Sequence, residues 1–185
     1  LLVSASASTS GNKLFIKDLG VENSKLVPII DDFSSDTYLA QNHQSKLYLV
    51  TNFNAPNKKV VTVDAKLPSV ENWEDFIPET ENVLNLTSGA GYFFVNYMVD
   101  AVSQIFQYDY DGNLIREVKL PGIGSCGGFD GKQDAKELYF TFTNYITPSS
   151  SFKFNPTVGS YDFYWQPKIN FDSSDYLSKQ VFYYS

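Results

Sequence analysis

The sequence predicts an all-β fold, a partial β-propeller, and two observations support this prediction. Four times along the chain, an aromatic and β-branched run is followed by a second such run that closes on Asp or Asn. The closing residues are 46, 45 and 46 residues apart, at Asp18, Asp64, Asp109 and Asn155. The chain also has 15 Phe and 13 Tyr but one Met, a composition that favours pleated sheets. A strand-rich period of about 40 to 50 residues is typical of a four-stranded propeller blade.

Counted on this period, the chain contains about three complete antiparallel blades and most of a fourth. Residues 1–31 supply three strands of a partial blade, and residues 36–79, 83–120 and 125–169 each form a complete blade. Residues 176–185 form one further strand that matches no repeat. A propeller closes into a ring of about four to eight blades. We therefore expect this chain to be a fragment of a longer protein.

The strand pattern within one repeat follows from the way in which blades pack. In the third copy, the innermost strand is predicted at Val83–Thr87 and the outermost at Ile115–Leu120, with a turn at 111–113 before the last strand. Blades stack face to face, so the second strand of each blade is expected to be covered on both faces and continuously apolar. The runs Tyr92–Val95 and Leu138–Phe142 fit this expectation.

Charge and hydropathy exclude two classes of partner. The net charge is -7 and the pI is about 4.6, whereas nucleic-acid binding needs clustered Lys and Arg. The sequence comes closest to a basic cluster at Lys58-Lys59, which we interpret as two solvated residues that begin a strand. No apolar run reaches the roughly 18 residues of a membrane span. We therefore expect neither nucleic-acid nor membrane partners.

Candidates for nucleophilic catalysis are weak. A Ser or Cys nucleophile usually needs an imidazole base, and the single histidine, His43, lies in the polar stretch 41–45 between predicted strands. The glycines around Ser125 do not have the spacing of a nucleophile elbow. The single cysteine, Cys126, reads as a small buried residue of an inner strand. It cannot form an internal disulfide, which leaves the compartment open between cytoplasm and periplasm.

The segment Asp109–Asn113 is the one candidate metal site. Its acidic residues resemble the start of a calcium loop, but such a loop places Glu at its twelfth position, where this chain has Leu120. A hairpin turn is the better interpretation. We expect no metal and no cofactor.

Several stretches together resemble the prolyl oligopeptidase family of serine peptidases. Residues 97–101, 107–112 and 118–124 resemble late blades of that family's propeller, and so does the strand with its Pro-bearing turn at 138–148. The end of the chain, 175–185, resembles the return from the propeller to the peptidase domain. The resemblance covers essentially all 185 residues and indicates the C-terminal part of a seven-bladed propeller.

The resemblance implies a parent enzyme with an α/β-hydrolase domain that cleaves short peptides after proline. The family's catalytic Ser, Asp and His all fall downstream of Ser185, so no catalytic residue is carried over and the fragment is expected to be inactive. In the family, a propeller loop contributes a cysteine near the substrate pocket, and by register its place falls near Ser8. Ser8 is therefore a candidate substrate-binding residue. The alternative is an ordinary polar residue of a loop.

The expected role of the chain is non-catalytic: the propeller restricts the access of substrates to the active site. The expected partners are the peptidase domain of the same parent chain, proline-containing peptides and, through exposed end faces, further copies of the fragment. The alternative from another functional class is a stand-alone β-propeller that binds proteins or ligands.

Overall fold

A computed structural model describes residues 1–171 and 173–183, without the side chain of Ser174. Over these residues the chain forms fifteen β-strands and two single-turn 3₁₀ helices, Val70–Asn72 and Ser173–Asp175. The described part contains no α-helix. No helix within it is long and apolar enough to cross a membrane.

The strands form four antiparallel sheets in two compact units, Leu1–Leu84 and Asn85–Ser185. Every sheet is a meander, in which each strand pairs with the next one along the chain. The first unit holds a three-stranded sheet of β1 (Leu2–Ser6), β2 (Asn12–Ile16) and β3 (Val27–Ile30). It also holds a four-stranded sheet of β4 (Thr37–His43), β5 (Lys46–Thr51), β6 (Lys59–Asp64) and β7 (Glu74–Ile77).

The second unit holds two four-stranded sheets. The third sheet of the chain consists of β8 (Leu84–Gly89), β9 (Tyr92–Val99), β10 (Val102–Tyr108) and β11 (Leu114–Val118). The fourth consists of β12 (Ser125–Gly128), β13 (Leu138–Thr143), β14 (Ser150–Asn155) and β15 (Ser160–Trp165). The turn Asp100-Ala101 has positive φ at both positions, which suits a two-residue hairpin whose twist matches that of its strands.

The core of the first unit lies between its two sheets. It is built from branched aliphatic side chains, which pack well on pleated surfaces. The buried members are Leu14, Ile29, Ile30, Leu47, Leu49, Val61 and Val63.

The core of the second unit is aromatic and is centred on Phe129, which follows β12. Its ring stacks on Phe94 of the third sheet and on Phe140 of the fourth, with ring centroids 4.8 and 4.9 Å apart. Phe154 meets the same ring edge-on at 5.2 Å. The backbone of Phe129 has φ +68°, a conformation that is costly for a bulky residue. The packing of its ring on both sheets offsets that cost.

The second strands of the sheets differ in how they are covered. From Leu47 to Thr51, every residue of β5 is buried. In β13, the buried Leu138, Phe140 and Phe142 alternate with the exposed Tyr139, Thr141 and Thr143. The expectation of a strand covered on both faces is therefore wrong for β13, because only one face of the fourth sheet packs into the core of the second unit.

The all-β fold class and the four antiparallel sheets are confirmed. The predicted strand at 176–185 differs from the structure: residues 176–183 belong to none of the four sheets, and Tyr184 and Ser185 lie outside the described residues. A strand needs a neighbour for its ladder hydrogen bonds, and these sheets supply none at this position.

Truncating Phe129 tests the aromatic core. Phe129→Ala should lower the free energy of unfolding by about 3 to 5 kcal/mol, since a buried Phe leaves a cavity between two sheets. The measurement is urea unfolding followed by tryptophan fluorescence. Phe163→Ala, at a ring 59% exposed, is the control and should cost far less. Equal losses for the two variants would contradict the central role of Phe129.

The uncovered face of the fourth sheet predicts self-association of the isolated chain. Tyr139 and Tyr164 form a ring pair there, with centroids 5.0 Å apart, and Trp165 on the edge strand is also exposed. Apolar patches of this kind promote association. Sedimentation velocity should show a concentration-dependent increase in mass that Trp165→Lys reduces and Val158→Lys, in the β14–β15 turn, does not. A monomer at every concentration would contradict the prediction.

Candidate functional site

Ser8 lies in the loop 7–11 between β1 and β2, of which residues 7–10 are exposed. Within the first unit, this loop meets the 31–36 connection between the two sheets, and Asn52 at the end of β5 contacts the same connection. We call the edge formed by loop 7–11, the 31–36 connection and Asn52 the Ser8 edge. His43 ends β4, a strand of seven residues that begins at Thr37 beside the Ser8 edge. The two ends of such a strand are about 20 Å apart, so His43 is remote from Ser8.

A side chain joins the two sheets of the first unit at the Ser8 edge. Asn12, the first residue of β2, accepts a hydrogen bond from the backbone N–H of Thr37 at 2.8 Å and donates one to its carbonyl at 2.9 Å. The backbone N–H of Asn12 donates to the carbonyl of Ser35 at 2.9 Å. Thr37 is buried. We call such a hydrogen-bonded contact between one sheet and the inner strand of the next sheet an inter-sheet clamp.

Asp36 anchors the end of the Ser8 loop. Its Oδ1 accepts a hydrogen bond from the backbone N–H of Gly11 at 2.8 Å, and its own N–H donates to Oδ1 of Asn52 at 2.6 Å. Gly11 has φ +77°, and a Cβ at this position would lie 1.9 Å from the carbonyl oxygen of Phe33. Only glycine fits there, so the loop leaves the sheet in one fixed direction.

The second unit repeats the inter-sheet clamp. The N–H of Ser103, near the start of β10, donates to the carbonyl of Gly124 at 3.0 Å, and Ser103 Oγ accepts from the N–H of Cys126 at 3.0 Å. Asn96 Nδ2 donates to the carbonyl of Cys126 at 2.8 Å. Ser103 is buried, so this clamp is shielded from water.

No motif in the sequence indicates the clamps. Asn12 and Ser103 stand at matching places in two repeats, and the corresponding positions hold Lys58 and Ser149 in the other copies. The residue type at this position varies between Asn, Lys and Ser, so only the geometry of adjacent sheets identifies the contacts.

Cys126 is buried in the inner strand β12. Burial raises the pKa of its thiol to about 12, because the thiolate loses its hydration. The thiolate is the nucleophilic form, so at neutral pH this side chain is an inert part of the core.

The Asp109 segment is a hairpin turn between β10 and β11, as the sequence predicts. Asp109 Oδ1 accepts from the N–H groups of Asp111 and Asn113 at 2.9 and 2.8 Å, and Oδ2 accepts from Asn113 Nδ2 at 2.9 Å. Partial burial acts to raise the pKa of Asp109, but these hydrogen bonds prevail and lower it. Nowhere in 1–171 or 173–183 do three His, Cys, Asp or Glu side chains group as metal ligands.

An open cavity of about 670 Å³ lies at one edge of the second unit. The turn Asp100-Ala101, the start of β12, the end of β13 and the segment 178–182 line it. Gln180 Nε2 donates to the carbonyl of Asp100 at 2.7 Å, which fixes that segment to the β9–β10 turn. No local pattern predicts this cavity, since its walls come from parts of the chain up to 82 positions apart, from Asp100 to Phe182.

Comparison with known proteins identifies the family. Residues 1–166 match the family model described as "Prolyl oligopeptidase, N-terminal beta-propeller domain". The chain belongs to this family. The prolyl endopeptidases of Elizabethkingia meningoseptica and Elizabethkingia miricola are 46% and 48% identical to it over all 185 residues. The chain spans 26% of the length of each of these relatives.

Solved structures of the prolyl oligopeptidase family have the same fold. A prolyl endopeptidase structure matches 98% of this chain, and 27% of its own length, with a TM-score of 0.87 at 24% identity. Ligand-free prolyl oligopeptidase B from Galerina marginata matches 94% of this chain, and 26% of its own length, with a TM-score of 0.81 at 22% identity. These likenesses confirm the propeller fold.

The family match places the chain in an N-terminal part of the family proteins, the propeller domain. That the chain is the C-terminal part of this propeller, as the resemblance implies, stays a prediction. Successive blades repeat one strand pattern, so the pattern alone does not give the position of a blade within the propeller.

Removing a clamp should loosen the sheets. Asn12→Ala leaves the buried backbone groups of Thr37 without their partner, at a cost of about 1 to 3 kcal/mol for each unsatisfied group. Hydrogen exchange measured by mass spectrometry should rise at the start of β4 and remain unchanged in β14. Asn12→Asp keeps the acceptor for the N–H of Thr37 but sets a carboxylate oxygen against its carbonyl, so exchange should rise in this variant too. Unaltered exchange at Thr37 in Asn12→Ala would show that the clamp does not stabilise the start of β4.

The pKa of Cys126 predicts its reactivity. At pH 8 the native chain should react with iodoacetamide far more slowly than the urea-unfolded chain, whose thiol has an ordinary pKa of about 8.5. Raising the pH above this value should destabilise the fold, because only the unfolded chain readily ionises its thiol. Alkylation followed by intact-mass spectrometry measures the rates. Equal native and unfolded rates would contradict the assignment.

Proposed function

We propose that this chain is the non-catalytic propeller part of a prolyl oligopeptidase-type serine peptidase that cleaves short peptides after proline. Similarity to two prolyl endopeptidases over the whole of this chain, at 46% and 48% identity, carries the proposal. The single histidine, exposed His43, and the buried thiol of Cys126 fit a part of the enzyme that performs no chemistry itself.

The catalytic residues and the α/β-hydrolase domain would come from the rest of the polypeptide. The two relatives are about four times as long as this chain, which covers 26% of each. A hydrolase domain in that remaining length would make the propeller and the peptidase domain partners within one chain.

The proposed role of the propeller is to select substrates by size. A ring of sheets admits an extended peptide but excludes a folded domain, provided that neighbouring sheets do not separate. Face-to-face packing at Phe129 and the clamps at Asn12 and Ser103 resist such separation. In this proposal, the packing and the clamps keep the propeller rigid enough to exclude large substrates.

Ser8 is the residue of this chain that we propose to lie beside bound peptide. Its support is the resemblance of its place to that of the family's substrate-proximal cysteine, together with a fixed loop. The bond from Gly11 to Asp36 holds the end of that loop. Ser8→Ala should then change KM for peptides in the complete protein and leave kcat nearly unchanged.

The decisive experiment uses the complete protein that contains this chain. Proline-containing peptides should be cut after proline, and a serine-directed inhibitor should block the cleavage. No cleavage, together with tight binding of a protein or small ligand, would instead favour the stand-alone binding propeller.

Size selection gives a quantitative test on the same protein. Asn12→Ala and Ser103→Ala, which loosen the clamps, should raise kcat/KM for a long proline peptide relative to a dipeptide reporter. Asn113→Ala is the matched control, since it removes a side-chain hydrogen bond to Asp109 in an outer hairpin and touches no clamp. An unchanged ratio in the clamp variants would mean that these sheets support the enzyme without filtering its substrates.

A further inference from the structure

The chain contains two Asp-Gly pairs, and both lie in the second unit. Asp111-Gly112 lies in the hairpin turn between β10 and β11, and Asp130-Gly131 lies in the connection between β12 and β13. In such a pair, the aspartyl side chain can close a five-membered ring on the next backbone nitrogen, because glycine has no side chain that hinders the approach. An aromatic residue precedes each pair, so the two differ mainly in their structural setting.

The carboxylate of Asp111 is exposed and has no hydrogen-bond partner within the described part of the chain. The hydrogen bonds of this turn go to Asp109 instead. Its two carboxylate oxygens accept from the N–H groups of Asp111 and Asn113 and from Nδ2 of Asn113. The side chain of Asp111 is therefore free to turn towards the backbone nitrogen of Gly112.

The backbone nitrogen of Gly112 is held weakly. Its N–H donates to the carbonyl of Asp109 at 3.3 Å, which is longer than the usual range of about 2.7 to 3.2 Å. Gly112 has φ +89°, a conformation that glycine adopts without steric cost. Both ends of this hydrogen bond belong to one surface hairpin, so it opens locally without disturbing the core of the unit.

The second Asp-Gly pair is held more firmly. The N–H of Gly131 donates to the carbonyl of Ser88 at 3.1 Å, and the N–H of Ala90 donates to the carbonyl of Lys132 at 2.8 Å. These two bonds join the connection to the β8–β9 hairpin of the third sheet. The ring of Phe129, directly before this pair, lies in the aromatic core. The nitrogen of Gly131 is therefore freed only when contacts between two sheets break.

Burial acts in the opposite direction at Asp130. It raises the pKa of the Asp130 carboxyl, because the charged form loses hydration. The protonated carboxyl is the form that loses water when the ring closes, so protonation alone would favour reaction at this position. Ring closure also needs the nitrogen and the carboxyl carbon in contact, and the hydrogen bond of Gly131 prevents this in the native fold.

We propose that Asp111 is a site of spontaneous isomerisation to isoaspartate. The nitrogen of Gly112 attacks Cγ of Asp111, and the amide proton leaves with the carboxyl hydroxyl as water. Water then opens the ring at one of its two carbonyl carbons. Cleavage between the nitrogen and Cγ restores aspartate. Cleavage between the nitrogen and the main-chain carbonyl carbon leaves the backbone running through Cγ and frees the former main-chain carbonyl carbon as a carboxylate.

Isomerisation should loosen the outer edge of the third sheet. Isoaspartate adds one carbon atom to the main chain, so the hairpin no longer fits the hydrogen bonds that Asp109 makes. Arg116 of β11 donates to the carbonyl of Thr157 at 3.0 Å, and Gln107 of β10 donates to that of Pro156 at 2.8 Å. Both contacts join the hairpin to the β14–β15 turn of the fourth sheet. The contact of β11 should weaken first, because this strand directly follows the altered turn.

Ageing of the complete protein at mildly acidic pH, in water labelled with heavy oxygen, tests the assignment. Electron-transfer dissociation mass spectrometry distinguishes the two backbone linkages, and each ring opening adds one labelled oxygen. Isoaspartate should accumulate several times faster at position 111 than at position 130. In urea, where both backbones are free, the two rates should become similar. An equal or faster native rate at position 130, or no isoaspartate at position 111, would overturn the assignment.

Asp111→Glu is the matched variant, because its longer side chain keeps the charge but does not form the five-membered ring. Asp111→Asn, whose amide closes the ring more readily and releases ammonia, should accumulate isoaspartate fastest. Hydrogen exchange in β11 should be faster in aged wild type than in fresh protein and unchanged in aged Asp111→Glu. Unchanged exchange in wild type at a high isoaspartate fraction, or an equal rise in Asp111→Glu, would overturn the loosening of the outer edge.

Discussion

The structure depends on the face-to-face packing of neighbouring sheets, because a four-stranded meander cannot bury both of its faces alone. In the second unit this packing is centred on one ring, that of Phe129, which lies between Phe94 and Phe140. In the first unit, aliphatic side chains perform the same function. Dispersion between close-packed side chains is weak for each atom pair but large in sum, so each sheet holds its neighbour in position.

Polar contacts add direction to this apolar packing. Apolar faces can slide on one another. Hydrogen bonds from side chains of one sheet to the backbone N–H and carbonyl of a single residue in the next sheet fix how the two sheets are aligned. Asn12 does this at Thr37, and Ser103 together with Asn96 does it at Cys126. Apolar cores and polar clamps therefore act together to keep neighbouring sheets from separating.

The edges of the sheets are held by polar contacts at the surface and not by apolar packing. The Ser8 edge is stiffened by hydrogen bonds to Asp36 and Asn52, and its loop is solvated. In the second unit, Asn144 holds the β13–β14 connection to the carbonyl of Ile123, and Tyr145 beside it is fully exposed.

The sequence by itself determined the fold class, the four sheets and the Asp109 hairpin, because strand period and turn chemistry are local properties. It did not determine which face each strand presents. Leu49, Phe94 and Phe140 follow the first residues of their repeats, Tyr48, Phe93 and Tyr139, by one position. Leu49 and Phe140 nevertheless pack towards the preceding sheet, and Phe94 packs towards the following one. A shift of one residue reverses the face of a strand, and repeats of 45 and 46 residues differ by that amount. The clamps also depend on side chains far apart in sequence, so only the tertiary structure decided them.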